Sequence, residues 1–155
     1  ANSRYSNDST VDGIGFVFTP DDPFVGMDID DCRNAENGEL SAVASDIVER
    51  FADKAYIEIS PSSRGLHIIF RGEHTITQSQ SGNIEIYDTK RYFTVTGNPH
   101  SKSTKKLYDC HSTLQSIYQN YVSNYESDNS NHGSTSTNQA LPNLSRSHRR
   151  PCNLV

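Results

Sequence analysis

The chain has 155 residues, 33% of them hydrophobic, and a formal net charge of −5; this is enough for one domain with a real core and too little for two ordinary ones. Net negative charge argues against indiscriminate binding to nucleic acid, and no apolar run approaches the roughly 20 residues that cross a bilayer. The 3 cysteines, Cys32, Cys110 and Cys152, are odd in number and have no CxxC spacing, which argues against a disulfide framework or a zinc site and fits a reducing cytoplasm.

The apolar residues are concentrated between positions 11 and 125, which are taken as the folded domain. Residues 1–10 and the polar stretch 126–155 offer little to bury and are expected to be disordered, the latter as a tail or linker whose Arg146, Arg149 and Arg150 could tether nucleic acid. No signal-peptide pattern opens the chain, and its start at Ala1 reads as processing or as a fragment. Charge is unevenly placed. Acidic side chains predominate up to residue 58 and basic ones between 59 and 125, where Arg64, Arg71, Lys90, Arg91, Lys102, Lys105 and Lys106 could face phosphate.

In chain order, Gly13–Thr19 and Phe24–Ile29 are two β-rich runs separated by Pro20-Asp21-Asp22-Pro23, which predicts an antiparallel hairpin. Leu40, Val43, Ala44, Ile47, Val48 and Phe51 recur at helical spacing and predict an amphipathic helix of about 14 residues. Tyr56–Ser60 and Leu66–Phe70 flank Pro61-Ser62-Ser63-Arg64-Gly65 and predict a second hairpin with an unusual polar turn. After a polar loop through Gly82, Ile84–Asp88 and Tyr92–Thr96 give two more strands. Leu114, Ile117, Tyr118, Tyr121, Val122 and Tyr125 then repeat at helical spacing, predicting a closing helix over His111–Tyr125. The sum is an α+β domain, mostly antiparallel sheet with helices packed on one side.

The chemistry is carried by three of these strands. In Gly26-Met27-Asp28-Ile29-Asp30-Asp31 the alternation of an extended strand puts Asp28 and Asp30 on one face and Met27 and Ile29 on the other. Two carboxylates on one point repel unless something positive sits between them, and a divalent ion with open positions for water and phosphate meets that need. A lone Asp-x-Asp is more often an acidic surface turn. Two later strands change the balance, because His67 stands within Leu66–Phe70 and Glu85 within Ile84–Tyr87, each an ionisable group among hydrophobes. Glu85 is preferred over Asp88, since alternation puts them on opposite faces and Asp88 reads as a turn residue.

Asp28-Ile29-Asp30, Ser62-Ser63-Arg64-Gly65-Leu66-His67 and Ile84-Glu85-Ile86-Tyr87-Asp88, the last leading into Arg91-Tyr92-Phe93-Thr94-Val95-Thr96-Gly97, together resemble the archaeo-eukaryotic primase superfamily, specifically the primase-polymerase domains of plasmids and viruses. The resemblance covers roughly residues 13–97. It implies an RRM-like catalytic core and template-directed nucleotidyl transfer by a DNA primase/polymerase of a mobile element. It further implies that Asp28, Asp30 and Glu85 hold two Mg²⁺ or Mn²⁺ ions, and that Ser63, Arg64, Gly65, His67 and Arg91 serve the nucleotide, Gly65 by letting the backbone approach the triphosphate. Nucleoside triphosphates, a single-stranded DNA template and primer, and a replicative helicase domain or protein are the implied partners, with no membrane. Two alternatives keep part of this pattern: a non-catalytic replication-initiation or single-stranded DNA binding module, and a metal-dependent nuclease or phosphohydrolase.

Overall fold

The computed structural model describes residues 13–73 and 80–123; the expectations for residues 1–10 and 126–155, Cys152 and the Arg146, Arg149, Arg150 cluster included, lie outside the described residues. The elements are β1 (Ile14–Phe18), β2 (Phe24–Ile29), α1 (Ala42–Phe51), β3 (Tyr56–Ile59), β4 (Leu66–Arg71), β5 (Gln80–Ser81), β6 (Ile84–Tyr87), β7 (Arg91–Val95) and α2 (His111–Ile117), which continues as a π-helical turn over Tyr118–Val122. The α+β class is as expected. A five-stranded sheet in the order β3-β4-β2-β6-β5 is antiparallel throughout, and β1 and β7 form a separate two-stranded antiparallel ribbon. No helix among the described residues is long and apolar enough to cross a membrane.

Alternation decides what each face of the sheet does. Val25, Met27, Ile29, Ile57, Leu66, Ile68, Phe70, Ile84 and Ile86 point to one face and form the main core with Ala44, Ile47, Val48 and Phe51 of α1 and with Leu114, Ile117 and Val122 of the closing helix. The opposite face meets the ribbon instead, through a smaller cluster of Phe18, Ile69 and Phe93. Gly26 makes that contact possible: a Cβ there would fall 2.7 Å from Phe93 Cε2 and closer still to the ring of Phe18. The backbone of β2 has to come within van der Waals range of two phenyl rings, and only glycine permits it.

The predicted first hairpin is a correction. The chain does turn between β1 and β2, where Asp22 accepts hydrogen bonds from the Thr19 N–H and hydroxyl and from the Phe24 N–H. Yet β2 is a central strand, with β4 on one edge and β6 on the other, so no edge remains for β1. β1 pairs with β7 instead, Ile14 opposite Val95 and Phe18 opposite Arg91. The second hairpin is as predicted, with Tyr56 opposite Ile69 and Ile59 opposite Leu66.

α1 is shorter than its periodicity suggests, and the closing helix is described only as far as Ser123, so the expectation for Tyr125 lies outside the described residues. α1 is capped by Ser41, whose hydroxyl accepts from the Ala44 N–H, so Leu40 lies ahead of the helix and Val43 is exposed. The regular part of α2 stops at Ile117, and the Ser123 N–H then bonds to the Tyr118 carbonyl five residues back. The wider turn still leaves Val122 buried and lets the Tyr121 hydroxyl reach Asp46 on α1. The two-residue β5 was not foreseen in the polar loop before Gly82.

Candidate active site: a charged row across the sheet

The register aligns four ionisable residues. Glu58 of β3 is opposite His67 of β4, His67 is opposite Asp28 of β2, and Asp28 is opposite Glu85 of β6. Because neighbouring strands put directly opposed residues on the same face, the four form one row on the side of the sheet away from the helices.

Asp28 is the centre of the row and the least satisfied member. Its side chain is 19% exposed, His67 Nε2 stands 3.8 Å from Oδ1, and Oδ1 is buried with no hydrogen-bond partner among the described residues. Burial pushes its pKa up from 3.8 to about 6; His67 opposes the rise, Asp30 and Glu85 add to it, and Arg91 opposes it. His67 is held on two sides. Its ring stacks on Phe93 of the ribbon with centroids 4.6 Å apart, and its Nδ1 is 3.4 Å from Glu58 Oε1. Glu85 accepts hydrogen bonds from the Tyr87 hydroxyl and from Arg91, whose Nη2 is 3.2 Å away and whose guanidinium lies over the Tyr87 ring.

The remaining candidates stand at the rim, where β2 ends. Asp30 is exposed; its N–H bonds to the Asn83 carbonyl and its carbonyl accepts from the Asn83 side chain. Asp31 has φ +46° and pairs with Arg64 at 2.9 Å. Ser63, at φ +61°, offers its carbonyl to Arg33. Gly65 is buried, and the fold itself demands it: a Cβ would meet the Ile29 carbonyl at 2.8 Å and Ser60 Oγ at 2.9 Å. Asp88 lies beyond β6 and lines a separate depression with Thr19, Asp22 and Glu73.

Between ribbon and sheet is a cleft of about 310 Å³ with Asp28 and His67 at its floor, Arg91 to Thr94 of β7 as its wall and Pro61 at its lip. Orphaned Asp28 Oδ1, with two more carboxylates close enough to raise its pKa, is an oxygen set suited to a hard divalent cation. Among the described residues, however, no three His, Cys, Asp or Glu side chains converge tightly enough to enclose an ion. Such a site fits Mg²⁺ in the mode where water and phosphate oxygens complete the coordination.

Sequence reasoning missed Glu58, which is 0% exposed. The signal was present: Ile57-Glu58-Ile59 repeats the apolar–acidic–apolar pattern of Ile84-Glu85-Ile86.

The site is thus a cleft between an antiparallel sheet and its ribbon, with a carboxylate and an imidazole at the floor and an arginine in the wall. No family profile matches the chain. Over 93 residues it is 34% identical to a DNA primase-polymerase of Nitratiruptor phage NrS-1, a stretch that is 56% of this chain and 13% of the phage protein. The similarity relates this domain to a primase-polymerase.

Proposed function

We propose that this domain is a template-directed nucleotidyltransferase, the DNA primase/polymerase unit of a mobile-element replication protein, acting in the cleft above Asp28 and His67. The observation that carries the reading is the buried, unpartnered Asp28 Oδ1 set between His67 and Glu85 in one register row. Asp28, Asp30 and Glu85 would hold Mg²⁺ or Mn²⁺. When bound, such ions lower the pKa of an attacking hydroxyl and offset charge on the leaving pyrophosphate.

The protein's own groups supply the rest. His67 turns Nε2 toward the cleft and Arg91 on its wall offers a donor to a triphosphate, to which Arg64 and Ser63, in the β3–β4 turn that follows Pro61 of the lip, would add theirs. Arg91 balances Glu85 in the ligand-free protein and would share its donors with phosphate. The ring of Tyr92, 52% exposed beside the cleft, offers a stacking surface for a base of a single-stranded template or primer. Nucleoside triphosphates, template and primer, and a replicative helicase domain or protein are the proposed partners.

A second reading, a single-stranded DNA binding or replication-initiation module without turnover, is favoured by that same Tyr92 and by the lack of a three-donor group among the described residues. Primer extension on a single-stranded template separates them, run with ribo- and deoxyribonucleotides in Mg²⁺ and then Mn²⁺. Extension by the parent and none by Asp28→Ala is expected. A parent that binds the template and extends nothing under any condition establishes the second reading.

A further inference from the structure

Glu58 is the one member of the row that the proposed chemistry does not use, and it is the most deeply buried. A carboxylate removed from water is costly unless it is fully hydrogen-bonded. Here the Tyr56 hydroxyl donates at 2.8 Å, the Thr96 N–H at 3.1 Å and the Gly97 N–H at 3.0 Å. These two successive N–H groups converge on one anion. Burial alone would raise the pKa of Glu58, but the hydrogen bonds from His67, Thr96 and Tyr56 hold it below the usual glutamate range. It is therefore an anion, able only to accept.

That leaves His67 one arrangement. A ring nitrogen 3.4 Å from an acceptor-only oxygen has to bring the proton, so Nδ1 is the protonated nitrogen and Nε2 is the edge turned to Asp28 and the cleft. We infer that Glu58 is a positioning residue, which fixes the proton of His67 on Nδ1 and, together with the stacked Phe93, aims Nε2 into the cleft. The inference rests on the nucleotidyl-transfer reading only for its consequence in substrate binding. The orientation of the ring is a property of the ligand-free protein.

Tyr56, Thr96 and Gly97 would anchor Glu58 for purely structural reasons, so the test reads the imidazole itself. Long-range ¹⁵N–¹H spectra of the full chain at about pH 9, above the ordinary imidazole pKa, report which nitrogen carries the proton, with the His67 signal assigned by its loss in His67→Asn. The parent is expected to show Nδ1–H. In Glu58→Gln the amide can turn its NH₂ toward the ring, so the neutral imidazole is expected to move its proton to Nε2. A phosphate accepts from Nε2 only once that nitrogen also carries a proton, so nucleotide binding draws on a ring protonated at both nitrogens and paired with the Glu58 anion. With the neutral amide in its place nucleotide KM should rise about tenfold, the value of one charge-assisted hydrogen bond, with a smaller change in kcat. Tyr56→Phe removes another partner of Glu58 and should keep the parental spectrum.

A parent ring protonated on Nε2 alone, or a Glu58→Gln spectrum identical to the parent's, overturns the inference. The parental spectrum decides the matter even if Glu58→Gln does not fold. A parent with Nδ1–H that incorporates no nucleotide would sink the proposed function and leave the positioning of His67 standing.

Discussion

Asp28 should make the fold less stable than it could be, and replacing it should show this. In the folded protein its pKa is about 6 against an ordinary 3.8. A raised carboxyl pKa means that the folded state binds a proton more tightly than the unfolded chain does. The stability this confers is therefore fully present below about pH 4 and is lost as pH rises through 6. Two decades in proton affinity, at about 1.4 kcal/mol each, amount to a cost on the order of 3 kcal/mol at pH 8. Asp28→Asn keeps the shape and removes the charge. It should be more stable than the parent by roughly 2–3 kcal/mol at pH 8, or about 10 °C in Tm for a domain of this size, and no more stable at pH 4, while losing nucleotide incorporation. Urea unfolding of both proteins across this pH range measures it. If the variant is no more stable at pH 8, or gains equally at both ends, burial and the neighbouring carboxylates are not what sets the state of Asp28. Magnesium should act the other way, raising the Tm of the parent by mass action and leaving Asp28→Asn nearly unmoved.

Glu85→Gln should abolish primer extension whereas Asp88→Asn, on the far side of β6, should not; the reverse result would reassign the third carboxylate. His67→Ala and Arg64→Ala should raise nucleotide KM more than they lower kcat, by roughly tenfold to a hundredfold per lost charged hydrogen bond. For Arg64→Ala the melting temperature should stay put, since its pair with Asp31 is more than half exposed on both sides and surface pairs contribute little. Gly26→Ala should destabilise the protein by about 2–3 kcal/mol, because a methyl group there collides with Phe18 and Phe93; an unchanged urea midpoint would show that the ribbon can lift away freely.

How far the sequence foretold this arrangement depended on how local the information was. Asp28, His67 and Glu85 could be placed because each interrupts a short apolar strand, and alternation alone then fixes its face. Glu58 follows the same rule, yet a single glutamate in a strand is solvent-facing by default, and only pairing with β4 and the overlying ribbon reveals that it is buried. Ribbon pairing was out of reach for a related reason. Pro20-Asp21-Asp22-Pro23 announces a turn, but which strand accepts β1 is decided by β4 and β6 having taken both edges of β2. Ser41 did carry the start of α1. Counting Leu40 into the stripe extended the helix past its cap. Gly65 was read for its possible ligand, when its nearest neighbours, the Ile29 carbonyl and Ser60, already require glycine.

A two-stranded ribbon is marginal on its own, so something must fasten β1 and β7 to the sheet, and the row does part of it. β7 crosses the strands beneath it. Its first residue, Arg91, meets Glu85 at one end of the row; Phe93 stacks on His67 in the middle; the Thr96 and Gly97 N–H groups close on Glu58 at the other end. The lengths agree: five extended residues span about 16 Å, and three strand spacings about 14 Å. The outer two carboxylates of the row therefore hold the ribbon across the sheet, while the inner pair, Asp28 and His67, is left at the floor of the cleft the ribbon walls off. Charge that would be costly to bury in an ordinary β-sandwich is tolerated here because each outer carboxylate meets donors from the strand above. The wall and the floor of the cleft are accordingly one construction, and a substitution at either clasp loosens β7 over the very residues it shields.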